Sequence, residues 1–397
     1  MPGFEILGKE EKQAVMDVMD RGVLFRYEFG DQRDGVYRVA EFEEAFAKYT
    51  GAGHALAVSS GSAAVKVGLA ALGVGGGDEV IVPGFTFVAT WEAVLDLGAA
   101  PVFAEIDETL CLDPKKLAEK VTEKTAAIVV VHMMGSQADM PAIMAVAEEK
   151  GLPVFEDTAQ AAGAFLNGKH LGTFGAAGSF SFDSVKTLTT GEGGMVISDS
   201  EEIWRNASEY HDHGHDHKPV GRGNEGRRFI GFNYRMMELQ GALGLAQLKK
   251  LPKMVATQQA NKAALKEALA RIKGLAFRRV LDEKGDSATF LSWFMPTASE
   301  ATKLARLLGE NGAAPIQWGK NTWHAHAHWE HLHGNKTVAT GGWPFDRGDQ
   351  TLAFGPEDLP ATNELLERCL SWQIMLGWDE SKLQSMTAAI NRAASAL

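Results

Sequence analysis

Seven short apolar runs lie between residues 55 and 198, separated by stretches of helical or turn character. They are Ala55–Ser59, Glu79–Val82, Ala100–Ala104, Ala126–Val131, Pro153–Glu156, Ala177–Phe182 and Gly194–Ser198. Strands alternating with helices build a mostly parallel sheet, because each crossover lays a helix over one face. The pattern predicts an α/β fold: a three-layer α/β/α large domain with a mostly parallel seven-stranded sheet. Ligands of such sheets sit at the carboxyl ends of the strands. Ser62, His132, Asp157 and Lys186 all fall at or just beyond predicted strand ends.

Helical spacing over 9–21 (Val15, Val18, Met19) and 39–49 (Phe42, Ala45, Phe46) predicts two helices before the sheet, joined by a loop at 22–38. Further helices are expected at 64–72, 236–272, 299–311, 360–373 and 379–396, and strands at Ala276–Val280 and Thr289–Met295. The later elements predict a smaller α+β C-terminal domain, with residues 1–250 forming the large domain and 251–397 the small one. A chain of 397 residues has room for both. A net charge of −12 argues against a nucleic-acid binder, which normally carries a basic face. Two cysteines cannot make a disulfide framework, no run approaches the roughly 20 apolar residues of a membrane span, and the first residues lack a secretory pattern. A cytoplasmic enzyme is expected.

The most informative chemistry lies in Gly178-Ser-Phe-Ser-Phe-Asp-Ser-Val-Lys186-Thr-Leu-Thr-Thr-Gly-Glu-Gly-Gly194. An apolar run leads to one lysine, then to small hydroxyl residues and a Gly-rich turn. Desolvation lowers a lysine's pKa, and the neutral amine is the form that attacks a carbonyl. A surface lysine at the mouth of a turn is the alternative. Gly61-Ser62-Ala63 opens a predicted helix, where free amides and a hydroxyl make either a phosphate site or a plain N-cap. Asp157, at the end of Val154-Phe-Glu-Asp, either caps the next segment or faces a ligand. Phe87, after a strand, reads by itself as core.

Taken together, these segments resemble the sugar aminotransferases, pyridoxal-phosphate (PLP) enzymes with the aspartate-aminotransferase fold. The resemblance rests on Ser59-Ser60-Gly61-Ser62-Ala63, Pro83-Gly84-Phe85-Thr86-Phe87, Phe155-Glu156-Asp157-Thr158-Ala159-Gln160, the Lys186 stretch and Gly231-Phe232-Asn233-Tyr234-Arg235, in the family's order. It implies that Lys186 attaches PLP and serves, with Asp157, as the catalytic pair. Asp157 would pair with the pyridinium nitrogen and Gln160 with the ring 3-hydroxyl. Phe87 would stack on the ring. Gly61, Ser62, Ala63 and Ser181 would hold the phosphate. It also implies a homodimer in which Asn233 reaches the partner subunit's cofactor phosphate, and an amino donor such as glutamate. Asp157 precedes Lys186 by 29 residues, one βαβ-type excursion.

Nine of the twelve histidines fall in two clusters, 211–217 and 324–333. Alternating histidines on a strand would share a face, as metal ligands can. No cysteine or dense carboxylate set accompanies them, so the residues support three readings: a metal site, a solvated loop, or a partly cationic substrate pocket. On the last reading His211, His213, His215, Arg222, Arg227, Arg228 and His324 would meet an anionic substrate. Asp183, the His-Asp-His-Gly-His-Asp-His run and the Trp323–His333 stretch depart from the family's usual pattern, whose members commonly act on nucleotide-linked keto-sugars. They look more like the branch that aminates the terminal carbon of a 3-deoxy-octulosonate, in lipopolysaccharide-type polysaccharide synthesis. A dehydratase of the same fold would replace the lysine with histidine, and a metal-dependent hydrolase would rest on the His clusters alone.

Overall fold

A computed structural model describes residues 2–218, 220, 223–348 and 351–397. All seven expected strands form one sheet: β1 (His54–Val58), β2 (Glu79–Pro83), β3 (Ala100–Ala104), β4 (Thr125–Val131), β5 (Val154–Asp157), β6 (Ala177–Ser181) and β7 (Gly194–Ser198). Their order is β1-β7-β6-β5-β4-β2-β3. The four neighbour pairs from β6 to β3 are parallel, and β7 runs antiparallel to both β6 and β1. The parallel strands are almost continuously buried, as expected for a sheet covered on both faces.

The register places the chemistry. Val131 pairs with Asp157, and Asp157 with Ser179, so the carboxyl ends of β4, β5 and β6 stand side by side. Helices α1 (Lys9–Arg21), α2 (Arg38–Thr50), α3 (Gly61–Ala71) and α4 (Ala89–Asp96) precede or follow the early strands. The N-termini of α3 and α4 therefore open at the same end of the sheet.

The C-terminal part carries a four-stranded antiparallel sheet in which β8 (Ala276–Phe277), β9 (Phe290–Phe294), β11 (Cys369–Gln373) and β10 (Ile316–Gln317) are neighbours in that order. Two expectations need correction. The helix expected over 360–373 stops at Glu367, and Cys369–Gln373 becomes the central strand β11. Four of its five residues are buried, and a short run buried on both faces reads alike as helix or strand until its partners are known. The strand expected at Ala276–Val280 keeps only two residues. The helix Glu238–Leu269 runs through residue 250 without a break. Leu248, Leu251 and Met254 pack with Phe42, Phe46 and Phe180, whereas Leu265 and Leu269 pack with Trp293 and Ile390. One helix thus anchors both cores. None of the described helices is long and apolar enough to cross a membrane.

Candidate active site

Asp157 ends β5 as a buried carboxylate, 5% exposed. Its Oδ2 accepts from the Thr90 hydroxyl at 2.9 Å and its Oδ1 from the Ala159 amide at 3.1 Å. Thr90 is in turn held by Thr86 at 2.7 Å. Burial pushes the carboxyl above its ordinary range, and the Ala159 amide, the Thr90 hydroxyl and the charge of Lys186 pull it back. Among the described residues no cation contacts it closely enough for an ion pair.

Lys186 follows β6 on a turn that Asp183 builds. The Asp183 carbonyl accepts from the Lys186 amide at 3.0 Å, and its carboxylate accepts from the Val185 amide at 2.9 Å. The Lys186 carbonyl accepts from the Gly3 amide at 2.7 Å, so the backbone is held, and the side chain is half-buried. Burial pulls its ammonium below the ordinary lysine value, and Asp157 and Asp183 oppose that pull. Each of the pair thus lies in the other's field: burial disfavours both charges and each supports the other.

The sequence also brings a cup of helix amides and a hydroxyl to this place. A methyl group on Gly61 would lie 2.6 Å from Ser181 Cβ and 2.7 Å from its Oγ, so the start of α3 and the end of β6 meet only because residue 61 has no side chain. Gly194 is needed for the same closeness: a Cβ there would lie 2.3 Å from the Ser60 carbonyl. Ser60 caps α3 by accepting from the Ala63 amide at 3.1 Å. The Gly61 and Ser62 amides then remain at the positive end of the helix. Ser62 is exposed and Ala63 buried.

Gln160 lies next to this centre, its Oε1 accepting from the Met134 amide at 2.9 Å, which leaves its amino group as the donor for a ligand. Phe87 is 38% exposed and packs against His324 and Trp323, with ring centroids 5.5 and 6.1 Å away. His324 also lies in the field of Lys186; burial chiefly, and then that charge, lower its pKa to about 4. His132 is fully buried: its Nδ1 accepts from the Ala138 amide and its Nε2–H donates to Glu156 at 2.8 Å. Glu156 also accepts from the Gly172 and Gly175 amides, which ties the strand end beneath Asp157 into a fixed network.

The first His cluster stands elsewhere. His211 is fully buried, its Nδ1–H donating to the Ser208 carbonyl and its Nε2 meeting Arg26 and Tyr27 at 3.3 and 3.2 Å. Its pKa falls well below the ordinary value through burial and Arg26, so it is a neutral structural group. His213, His215 and Arg227 line a cavity of about 950 Å³ with Arg26, Tyr27 and Arg235; neither Lys186 nor Asp157 faces it. Arg228 pairs with Glu209 at 3.0 Å and with Asn206. Arg222 lies outside the described residues. Asn233 is exposed, and its neighbours Ile230 (83%) and Phe232 (51%) are exposed apolar residues. Among the described residues no three His, Cys, Asp or Glu side chains are grouped to hold a metal.

The model of the DegT/DnrJ/EryC1/StrS aminotransferase family matches residues 5–339. The chain belongs to that family. It is 39% identical over 285 residues to the spore coat polysaccharide biosynthesis protein SpsC of Bacillus subtilis, a match covering 70% of this chain and 71% of SpsC. It is 39% identical over 239 residues to the GDP-perosamine synthase of Caulobacter vibrioides, covering 59% of this chain and 62% of that one. An aminotransferase structure from Psychrobacter cryohalolentis superposes with a TM-score of 0.82 at 30% identity, covering 97% and 96% of the two chains.

DegT-family aminotransferases use PLP, and this chain is a PLP-dependent aminotransferase. The site fits that cofactor. A buried carboxylate without a contacting cation suits a pyridinium N–H, and the cup between Gly61 and Ser181 suits a phosphate. Sequence reasoning overlooked Thr90, which orients Asp157, and gave Glu156 no role. Thr90 lies in an unremarkable helix start, and only the fold brings it 67 residues along the chain to Asp157.

Proposed function

We propose that this enzyme transfers the amino group of an amino acid, glutamate by preference, to the carbonyl of a sugar. The supporting observation is the pair: a half-buried lysine just beyond β6 and a buried aspartate at the end of the neighbouring β5, each within reach of the other's charge. When bound, PLP supplies an electron sink for the donor's α-carbon. Asp157, kept in orientation by Thr90 and Ala159, would hold the pyridine nitrogen in its protonated form. Gln160 would donate to the ring hydroxyl, and Phe87 would cover one face of the ring. The Lys186 amine, which burial inclines toward its neutral form, takes the proton from the donor's α-carbon and returns it on the other side of the exchange. The second half-reaction runs the same residues in reverse on the acceptor.

For the acceptor we favour an acidic keto- or aldehyde sugar of the 3-deoxy-octulosonate kind. The cavity beside Phe87, about 480 Å³, is walled by Phe87, Val88, Thr322, Trp323, His328, Glu330 and His331. It has room for a monosaccharide, with Thr322, His328 and His331 as polar groups at its edge. A nucleotide-linked keto-sugar is the second reading, supported by the likeness to a GDP-perosamine synthase. The exposed Ile230–Asn233 strip supports a homodimer in which Asn233 and the His213–His215 loop reach the other subunit's site. Two unpaired buried cysteines, Cys111 and Cys369, suit a reducing compartment such as the cytoplasm. The test is an acceptor screen with glutamate as donor. Amination of acidic keto-sugars supports the first reading, and amination of nucleotide-linked sugars alone overturns it.

A further inference from the structure

Trp323 is 65% exposed, and among the described residues its ring meets Phe87. It is not loosely placed. The Asn321 Oδ1 accepts from the Trp323 amide at 3.0 Å, from the His324 amide at 2.9 Å and from His324 Nδ1 at 3.0 Å. The His324 carbonyl accepts from the Thr86 amide at 3.1 Å, and the His326 amide donates to the Gly84 carbonyl at 3.0 Å. The segment that presents Trp323 is thus stitched to residues 84–87, which also carry Phe87. The two rings stand edge to face, 6.1 Å apart at 63°, over the cavity beside the cofactor site. His328 lines the same cavity; its Nε2–H donates to the Gly319 carbonyl at 2.7 Å, which leaves Nδ1 as an acceptor. An aromatic wall with a polar rim matches a sugar, which has an apolar C–H face and hydroxyls around its edge.

We propose that Trp323 is the specificity-determining platform of the acceptor: the sugar's C–H face lies on the indole while a hydroxyl donates to His328 Nδ1. This inference rests on the reading that the acceptor is a sugar, and it assigns the ring no part in handling the amino donor. The sugar is held through its ring rather than through a distant anionic group.

The test uses the PLP-loaded full chain and its Trp323→Ala and Trp323→Phe variants. Conversion of the cofactor by glutamate, followed by absorbance, reads the donor half-reaction; steady-state kinetics with the best acceptor from the screen reads the other. Trp323→Ala should raise the acceptor KM about tenfold or more, the equivalent of one stacked ring, while the donor half-reaction and the oligomeric state change less than twofold. Trp323→Phe should recover most of the loss. An unchanged acceptor KM, or an equal loss in both half-reactions, overturns the proposal. So does dissociation of the variant into smaller species, which would make Trp323 a subunit contact. A wild-type enzyme that aminates no sugar defeats the sugar reading and this inference with it, whereas an active wild type with an unaffected variant defeats this inference alone.

Discussion

Gly61→Ala separates the phosphate cup from ordinary helix physics, because the two predict opposite signs. Alanine is the better helix former, by up to about 1 kcal/mol in a helix interior. Gly61 has no left-handed backbone angle to forbid the change. Propensity alone therefore predicts a neutral or stabilised protein. The contact predicts otherwise: the new methyl would lie 2.6 Å from Ser181 Cβ, about 0.8 Å inside the 3.4 Å at which ordinary contact begins. Ser181 cannot easily retreat, since it pairs with Gly194 in the sheet. The start of α3 must move instead, at the roughly 1–3 kcal/mol of an overpacked site. Moving it withdraws the Gly61 and Ser62 amides from the point they share with the Ser181 hydroxyl. One charge-assisted hydrogen bond is worth about 1.5–3 kcal/mol, so PLP affinity should fall about 10- to 150-fold. The assay is titration of the apoprotein with PLP, by quenching of tryptophan fluorescence, beside a thermal melt of the apoprotein. Adding Ser181→Gly should recover the melting temperature but not the affinity, because it removes the clash and a phosphate donor together. A lowered melting temperature with undiminished PLP affinity would refute the assignment of this cup.

The remaining predictions address charge. Asp157→Asn keeps the shape but removes the charge, so PLP should still bind within about tenfold while turnover falls at least about 100-fold; equal turnover would show that the carboxylate is idle. In the apoprotein, the pH midpoint for acylation of Lys186, read by peptide mass spectrometry, should lie below the ordinary lysine value, and Asp157→Asn should lower it further because Asp157 supports the ammonium. His326 is fully buried with both ring nitrogens unpartnered, and burial lowers its pKa from 6.5 to about 4. The unfolded chain therefore binds the proton first: stability is complete above pH 6.5 and declines as pH falls from 6.5 to 4, by at most about 3 kcal/mol. His326→Leu should flatten that part of the pH–melting curve, and an unaltered curve would contradict the account.

The large sheet is legible in the sequence because its strands are short, largely apolar and punctuated by helices, so that little else can satisfy both the burial and the backbone. Lys186 and Asp157 are legible for a related reason: each stands at the end of such a run, where a charge is out of keeping with its surroundings. What could not be read depends on partners distant in sequence. Cys369–Gln373 becomes a strand only through Phe290–Phe294. Thr90 gains a role only beside Asp157, and the need for a glycine at 61, whose phosphate role the sequence did suggest, shows only against Ser181. The histidines show the same limit in the other direction. His211 and His324 look alike as letters, but one is sealed among Arg26, Tyr27 and Ser208, while the other lies in the field of Lys186.

The most direct test of the shared lysine–aspartate site is to load the protein with PLP, reduce it with borohydride and map the peptides by mass spectrometry. The account predicts a pyridoxyl group on Lys186 and its loss in Lys186→Ala. A label on another lysine, or a protein that takes up no PLP at all, would contradict it.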